Sequence, residues 1–502
     1  MPRNYDKIQE EIALTGFFSE YLPPCFSLNS KVLNYPPSQN CDLIAPHSFS
    51  MSRFNGNDSR RTIFIPEIGS YLAAYQYMKE KNIIQELIEF TERSKHSFSP
   101  ILGEDDSIIR HEQVYCPNQN VRKLSNDYIA NIGKKIIFAS GAKKVLKLDI
   151  SNCFASFYVH MIPAIIFGYK AAQKEYENYQ NRNLDNERYG IYRQLDEVIR
   201  QQNLNRTNGL LPGILTSKII AEALLTRIDT ELEEAGFKFA RYVDDYEVFL
   251  YDDSEKKTIS EFSRILKAYG FSLNSEKTEV VTFPYYIVEN FNKILEEKLH
   301  KELNASDIID MFSFFYRIEA NGTKGAIRFL LKALEQQNKD VEILDKPLYK
   351  AYLLSIMANN DRTLTKACSI FINNKEKYPL SEIDVEIIGQ LLENHIAYGH
   401  DLEVIWLIYL LEETGNLKKD SLLVERVVNT QNELAHLILL HNDLVNEDQE
   451  KAIKLKSESW ILVYELFARE LISENEFVGR LNVRKNLKMY QHLKKSGINF
   501  IH

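Results

Sequence analysis

The sequence has little cysteine, with only five residues in a chain of 502, at positions 25, 41, 116, 153 and 368. No two of them form a Cys-x-x-Cys pair, the usual beginning of a zinc or redox site. A disulfide framework is also excluded, because such frameworks belong to short secreted chains that are dense in cysteine. We therefore expect free thiols and a reducing, cytoplasmic location.

Long apolar runs and an excess of positive charge are also missing. The first residues carry no apolar signal core, and no run is long enough to span a bilayer, so no membrane partner is expected. The 61 basic side chains are outnumbered by 70 acidic ones, which gives a net charge of −9. Proteins that coat long duplexes need Lys and Arg to neutralise phosphates. A nucleic acid bound here would instead be short or unusually held, in a local basic channel.

Proline becomes scarce after Pro284, where only Pro347 and Pro379 remain. From there on, apolar residues recur at helical spacing in one segment after another, separated by short polar breaks. The earlier part mixes strand-like and helical patterns, which predicts an α+β domain over residues 1–295. Residues 296–502 are predicted to be all-α. Their helix–loop–helix pattern suits a HEAT-like stack of helix pairs, although an irregular helical bundle fits equally well.

The most informative segment is Tyr242-Val243-Asp244-Asp245, which lies between strand-like runs at 239–243 and 246–251. Adjacent carboxylates in a turn repel each other, and a hard divalent cation such as Mg²⁺ relieves that repulsion. Taken alone, an Asp-Asp pair is more often a solvated turn. A third carboxylate, Asp149, ends the strand-like run 144–150. If the strands bring it beside Asp244 and Asp245, they form a two-metal site for phosphoryl transfer.

Further blocks occur in a fixed sequence order around these carboxylates. An aromatic residue, Phe154, stands five positions after Asp149, and the segment 208–217 contains Pro212-Gly213 before a helix predicted from about Ser217. Leu273-Asn274-Ser-Glu-Lys277 follows the Asp-Asp pair. This order resembles the fingers and palm core of reverse transcriptases. The resemblance implies a Mg²⁺-dependent DNA polymerase with two metal ions.

The resemblance also implies the following roles. The predicted metal-binding residues are Asp149, Ile150, Asp244 and Asp245. The three aspartates are also catalytic, together with Lys277, whose charge would lie near the leaving pyrophosphate. Four residues are predicted to contact the nucleotide or the primer: Arg61, which is favoured over Arg60 for the triphosphate, Phe154 under the sugar, Gly213, and Tyr242 on the primer side. Phe154 would favour deoxynucleotides, although packing in the core is the alternative.

One block departs from the usual pattern. Reverse transcriptases commonly read Pro-Gln-Gly where this chain has Leu211-Pro212-Gly213. The glutamine that helps to position the nucleotide and the template is therefore missing. Conventional template copying is in doubt.

Finer features resemble the abortive-infection (Abi) reverse transcriptases of bacterial antiphage defence, of the AbiK and prophage Abi types. These features are Phe17-Phe-Ser-Glu-Tyr-Leu-Pro-Pro-Cys25-Phe26, the segment from Arg61 to Tyr77, His160-Met-Ile-Pro163, Met311-Phe-Ser-Phe-Phe315 and Gly322-Thr-Lys-Gly-Ala-Ile327. The resemblance covers nearly the whole chain and is looser after about residue 330. It implies a reverse-transcriptase-like fingers–palm domain followed by a helical-repeat domain in place of the thumb.

For that family, the resemblance further implies untemplated DNA synthesis from dNTPs, primed by a protein hydroxyl. The single-stranded DNA product would stay covalently attached to the protein, and the chain would form a homo-oligomer, a trimer or hexamer. Two alternatives stay open. One is an RNA-templated reverse transcriptase that uses a partner noncoding RNA, and the other is a non-catalytic phage-sensing scaffold.

Overall fold

The structure is a computed structural model, and it describes residues 3–35, 37, 41–52, 60–103, 105–109, 128–181, 186–287, 289–337 and 341–502. Cys116, one of the predicted free thiols, lies outside the described residues. The other four cysteines are buried free thiols. No helix within the described part of the chain is long and apolar enough to cross a membrane.

The first part of the chain mixes helices and strands. Its helices are α1 (Tyr5–Thr15), α2 (Ile68–Glu80), α3 (Ile83–Thr91), α4 (Tyr128–Phe138), α5 (Cys153–Ser156), α6 (Ile162–Phe167), α7 (Tyr169–Gln180), α8 (Glu187–Gln201), α9 (Leu215–Glu234), α10 (Glu255–Ala268) and α11 (Phe291–Lys298). Its strands are β1 (His47–Ser52), β2 (Arg60–Ile65), β3 (Lys144–Asp149), β4 (Phe239–Tyr242), β5 (Asp245–Leu250) and β6 (Glu279–Thr282). Short 3-10 helices cover Ser30–Asn34, Val159–Met161 and Ser275–Lys277.

The rest of the chain is helical apart from two very short strands, β7 (Glu302–Leu303) and β8 (Glu342–Ile343). Its helices are α12 (Ala305–Ala320), α13 (Ala326–Gln337), α14 (Lys346–Asn359), α15 (Asp361–Asn373), α16 (Glu382–Tyr398), α17 (Asp401–Glu413), α18 (Leu422–Val428), α19 (Glu433–His441), α20 (Glu447–Lys456), α21 (Trp460–Ala468), α22 (Glu474–Leu481) and α23 (Leu487–Lys495). The structure as a whole is α+β, which confirms the predicted fold class.

A four-stranded antiparallel sheet in the order β4-β5-β3-β6 occupies the centre of the first part. Alternate residues of a strand point to opposite faces, and the inner strands β3 and β5 are buried on both. One face carries Leu146, Leu148 and Val248 into a large core that includes α9 and α3. The other carries Val145 and Phe249 into a small cluster with Phe98. Burial on both faces fixes the strand register, and therefore fixes which residues stand at the sheet's end.

The later helices pack in two rows. Alternate helices contact one another along α13, α15, α17, α19, α21 and α23, and a second row runs through α14, α16, α18 and α20. Neighbouring helices such as α14 and α15, or α16 and α17, connect the rows. This is the arrangement that stacked antiparallel helix pairs produce. The HEAT-like character of the pairs stays a prediction.

The helical rows and the N-terminal segment bury one continuous hydrophobic core. The indole of Trp460 donates a hydrogen bond to the carbonyl of Ile65 at the end of β2, at 3.3 Å. The indole of Trp406 donates to the carbonyl of Tyr21 at 2.7 Å. Phe26 forms an isolated antiparallel β-bridge with Ile501, so the N-terminal segment contacts the last residues of the chain. The hairpin β1–β2 is thus held by the helical rows, and this core takes residues from both sides of the proposed division at residue 295.

Candidate active site

The strand register brings the predicted carboxylates to one end of the sheet. Strands β3 and β5 are antiparallel, and Asp149 stands directly opposite Asp245. Directly opposed residues project to the same face of a sheet. Asp244 immediately precedes β5, and its carbonyl accepts a hydrogen bond from the amide of Ile150 at 3.2 Å. The fold therefore gathers Asp149, Asp244 and Asp245 with the main chain of Ile150.

The turn itself differs by one residue from the prediction. Tyr242 pairs with Asp245, so the turn consists of Val243 and Asp244, and Asp245 is the first residue of β5. The sequence-based placement of the turn at Asp244-Asp245 was wrong, because strand pairing continues as far as the second carboxylate. Val243 has a φ of 55°, a conformation that a β-branched residue adopts only at a cost in free energy. The surrounding structure must hold this turn in place.

A buried cluster of charges supplies that support. The guanidinium of Arg241 is fully buried, and it donates to the carbonyl of Val243 at 2.9 Å. It also binds two carboxylates of α9, Asp229 at 2.7 Å and Glu222 at 2.8 Å. Both acids are 3% exposed or less. Sequence reasoning missed this Arg241–Glu222–Asp229 cluster, although Arg241 directly precedes the motif.

Two of the three aspartates, Asp244 and Asp245, have a raised proton affinity. Burial and the nearby charge of Asp149 raise the pKa of Asp244, while the positive charges of Arg61 and Lys277 oppose the rise. Burial, Asp244 and Asp149 together raise the pKa of Asp245 to about 7. Such a cluster is a set of hard oxygen ligands under mutual repulsion, and this suits Mg²⁺. The residues present therefore fit the predicted metal ions.

Lys277 reaches this cluster directly. Its Nζ lies 2.7 Å from Oδ1 of Asp149, and its side chain is about half exposed. The segment that carries Lys277 is held in place because the backbone amide of Asn274 donates a hydrogen bond to the carbonyl of Asp149 at 2.8 Å. The structure thus brings Lys277 together with the aspartates.

Arg60 and Arg61 point in different directions, as alternation along a strand requires. Arg60 forms a very short ion pair with Glu403 of α17, whose side chain is 1% exposed, and lies 3.9 Å from Asp361 of α15. Arg61 is exposed, and its charge acts on Asp244. Of the two, Arg61 is the one whose charge acts on Asp244, and its contact with the triphosphate stays a prediction.

The structure also shows the surroundings of Tyr242 and Phe154, two of the other predicted contact residues. Tyr242 is 38% exposed at the end of β4. Phe154 is half-buried and packs against the large core beside α9, so both of its predicted roles remain compatible with its position.

Gly213 lies against β2. A Cβ there would come within 2.5 Å of Cγ2 of Ile63, and its φ is 111°. Pro212 accepts a hydrogen bond from the amide of Phe64 at 2.9 Å. Close approach to β2 is therefore what requires glycine here. The helix after it, α9, begins at Leu215, two residues before the predicted position.

Replacing Asp245 by asparagine is expected to stabilise the metal-free protein at pH 8. Since the pKa of Asp245 is raised on folding, the contribution of this group to stability is fully present below its unfolded pKa of about 3.9 and is lost as the pH rises through about 7. Because solvent also reaches the Asp245 side chain and screens the repulsion, we expect a gain of roughly 1 kcal/mol and no more. Urea unfolding in EDTA and in Mg²⁺ measures the difference in unfolding free energy between the wild type and the variant. Mg²⁺ should stabilise the wild type more than the variant.

The matched control for this prediction is Asp252→Asn, which removes an exposed carboxylate beyond the far end of β5. It should change stability in EDTA by much less. Equal unfolding free energies for the wild type and Asp245→Asn in EDTA would contradict the repulsion that we infer.

One comparison with known proteins, the match to a family model, agrees with this geometry. Residues 104–342 match the family model described as "Reverse transcriptase (RNA-dependent DNA polymerase)". No curated protein matches the sequence. Among solved structures, the chain is similar to telomerase from Candida tropicalis with a TWJ fragment of telomeric RNA, at 12% identity and a TM-score of 0.34, over 79% of this chain and 64% of that one.

Two further telomerase structures show a similar likeness. The structure from Candida albicans with the TWJ fragment gives 12% identity and a TM-score of 0.30, over 84% of this chain and 67% of that one. Apo telomerase from Candida tropicalis gives 11% identity and a TM-score of 0.34, over 80% of this chain and 70% of that one. The family match covers the sheet and its carboxylates. The chain therefore contains a reverse transcriptase domain, and it is a nucleotidyltransferase of the polymerase type.

Proposed function

We propose that this polymerase synthesises DNA with Mg²⁺, without a template and from a protein hydroxyl, in bacterial antiphage abortive infection. The observation that carries the DNA polymerase part is the gathering of Asp149, Asp244 and Asp245 at the end of β3 and the β4–β5 turn. The missing glutamine before Gly213 supports weak template use. The resemblance to Abi reverse transcriptases, which extends over nearly the whole chain, supports protein priming and defence.

In this proposal the metal ligands are Asp149, Asp244, Asp245 and the main chain of Ile150. Two bound Mg²⁺ ions would neutralise the triphosphate and stabilise charge on the transferring phosphoryl group. Arg61 binds the triphosphate from β2, and the effect of its positive charge on Asp244 supports this role. Lys277 brings a positive charge and a proton to the leaving group, since its ammonium already reaches Asp149.

Three residues shape the rest of this site. Phe154 packs under the sugar and disfavours a 2′-hydroxyl, Tyr242 contacts the primer end, and Gly213 keeps the loop after α8 close to β2. A polymerase of this kind binds dNTPs and nucleic acid. Its single-stranded DNA product stays attached to the protein.

The remaining parts of the proposal concern the whole molecule. The helical rows act as a HEAT-like domain over residues 296–502, in the place of a thumb, beside a fingers–palm domain over 1–295. The chain assembles into a homo-trimer or hexamer. A cytoplasmic location is supported by the four buried cysteines, which are free thiols in the described chain.

The test incubates the purified full chain with each labelled dNTP and Mg²⁺, without template or primer, followed by a denaturing protein gel. We expect label on the protein band, with a shift that DNase removes and proteinase K converts into free-running DNA. Label that depends on added RNA and a nucleic-acid primer would favour the RNA-templated alternative. No incorporation under either condition would favour a non-catalytic scaffold.

The paired arginines of β2 allow nucleotide binding to be separated from stability. Arg61→Ala is expected to raise the KM for dNTP with little change in unfolding free energy, because Arg61 is exposed. Arg60→Ala should instead cost roughly 3 kcal/mol, since it leaves the buried carboxylate of Glu403 without its partner. Steady-state incorporation and urea unfolding measure both effects. An unchanged KM in Arg61→Ala would remove Arg61 from the site.

A further inference from the structure

A cluster of two histidines and one aspartate lies where three helices of the rows meet. Asp361 is the first residue of α15, His395 lies in the last turn of α16, and His400 immediately precedes α17. Gly399, with a φ of 67°, ends α16 in the left-handed conformation and turns the chain back. This turn brings His400 beside His395. His395 is 6% exposed, and the side chains of His400 and Asp361 are 20% and 36% exposed, so the cluster is partly shielded from water.

The spacing of the three ligand atoms suits a transition-metal ion. Nδ1 of His395 and Nδ1 of His400 are 3.0 Å apart, and Nδ1 of His400 is 3.5 Å from Oδ2 of Asp361. One ligand atom from each of the three residues lies within 4.8 Å of the other two. In a tetrahedral zinc site with bonds of 2.0–2.1 Å, ligand atoms are about 3.3 Å apart. The competing account is a hydrogen bond between the two rings, with opposite tautomers.

The spacing along the chain and the ligand types also favour a transition-metal ion. Four residues separate His395 from His400, within the His-x₃₋₅-His range that zinc sites use. Two imidazoles and one carboxylate form a donor set typical of zinc and of other late divalent metals. The guanidinium of Arg60 is nearby, but its charge is largely compensated by its ion pair with Glu403.

The cluster also adjoins the strand that carries Arg61. The amide of Ser50 in β1 donates to Oδ2 of Asp401 at 2.8 Å, and the amide of Asp401, the residue after His400, donates back to the hydroxyl of Ser50 at 3.3 Å. Arg60, next to Arg61, contacts both Asp361 and Glu403. A fixed α15–α17 junction therefore fixes the outer edge of the β1–β2 hairpin.

We propose that Asp361, His395 and His400 bind a divalent transition-metal ion, with zinc as the best match. The site is separate from the carboxylate cluster of the sheet and differs from it in ligand chemistry. It ties helices α15, α16 and α17 together and holds the hairpin that presents Arg61. The bound ion positions the hairpin and takes no part in the chemical step.

The test measures zinc binding to the full chain by calorimetry, after chelator treatment, with elemental analysis of the purified protein beside it. We expect one zinc ion per chain and a higher midpoint of thermal unfolding when zinc is added. His400→Ala should weaken zinc binding at least about tenfold. His441→Ala is the matched control, since His441 is also half-buried at a helix end and should leave zinc binding unchanged.

Two further measurements decide the case if His400→Ala does not fold. Cobalt(II) added to the wild type should give the visible absorption of a tetrahedral N/O site, and zinc should displace it. The Asp244→Asn/Asp245→Asn variant should keep its zinc, which separates this site from the polymerase site. Zinc binding that is absent in the wild type, or equal in His400→Ala, or lost in the double aspartate variant, would overturn the proposal and leave the paired histidines as a hydrogen bond.

Discussion

Asp244→Asn is expected to lower the rate of dNTP incorporation by at least about 10²–10³-fold, the loss typical when one preorganised electrostatic contact with a transition state is removed. The carboxylate of Asp244 shares the sheet end with Asp149 and Asp245, and burial and that neighbouring charge raise its pKa. Asparagine keeps the size of the side chain and removes a ligand charge. The fold should survive, because the substitution also relieves repulsion.

The measurement for Asp244→Asn is the initial rate with labelled dNTP and Mg²⁺, beside circular dichroism and urea unfolding. Asp252→Asn serves again as the exposed control and should keep the wild-type rate. A variant that is folded and retains a rate within tenfold of the wild type would show that Asp244 is not a metal ligand in the reaction.

Arg241→Met is expected to cost about 3–5 kcal/mol of unfolding free energy, the range for removing one partner of a buried ion pair. The guanidinium is fully buried and contacts Asp229, Glu222 and the carbonyl of Val243. Methionine fills similar space but leaves two buried carboxylates without a cation. The turn that carries Asp244 would also lose its anchor, so the incorporation rate should fall under conditions where the variant is still folded.

The control for this prediction is Arg264→Met in α10, which removes an arginine that is exposed. It should change stability by no more than about 0.5 kcal/mol, as surface substitutions do. Arg241→Lys should lie between Arg241→Met and the wild type, since lysine restores the charge without the planar fork. A loss below 1 kcal/mol for Arg241→Met would contradict the anchoring role.

The sequence predicted that the strands bring Asp149, Asp244 and Asp245 together, because strand-like runs are a local signal. The strand-like runs 144–150, 239–243 and 246–251 have the aspartates at or next to their ends, so antiparallel pairing was enough to bring Asp149 and Asp245 together. Alternation along β2 separated Arg60 from Arg61. The order of the motifs then indicated the reverse transcriptase domain.

Long-range contacts were beyond prediction because their signals are scattered along the chain. Glu222 and Asp229 resemble ordinary helical acids, and only the rotation of α9 in the fold turns them toward Arg241. Asp361 is 34 residues before His395 and carries no metal-site pattern on its own. Gly213 seemed a contact for substrate, but its close neighbour is Ile63. The pairing of both chain ends in one core had no local signature either.

The most direct test of the central claim is to locate the metal. Crystals of the full chain would be soaked in Mn²⁺ with a dNTP, and anomalous diffraction would be measured at the manganese edge. We predict anomalous density among the carboxylates of Asp149, Asp244 and Asp245, with the triphosphate extending toward Arg61. Bound dNTP elsewhere, or no anomalous density at these carboxylates under saturating Mn²⁺, would contradict the assignment of this sheet end as the polymerase site.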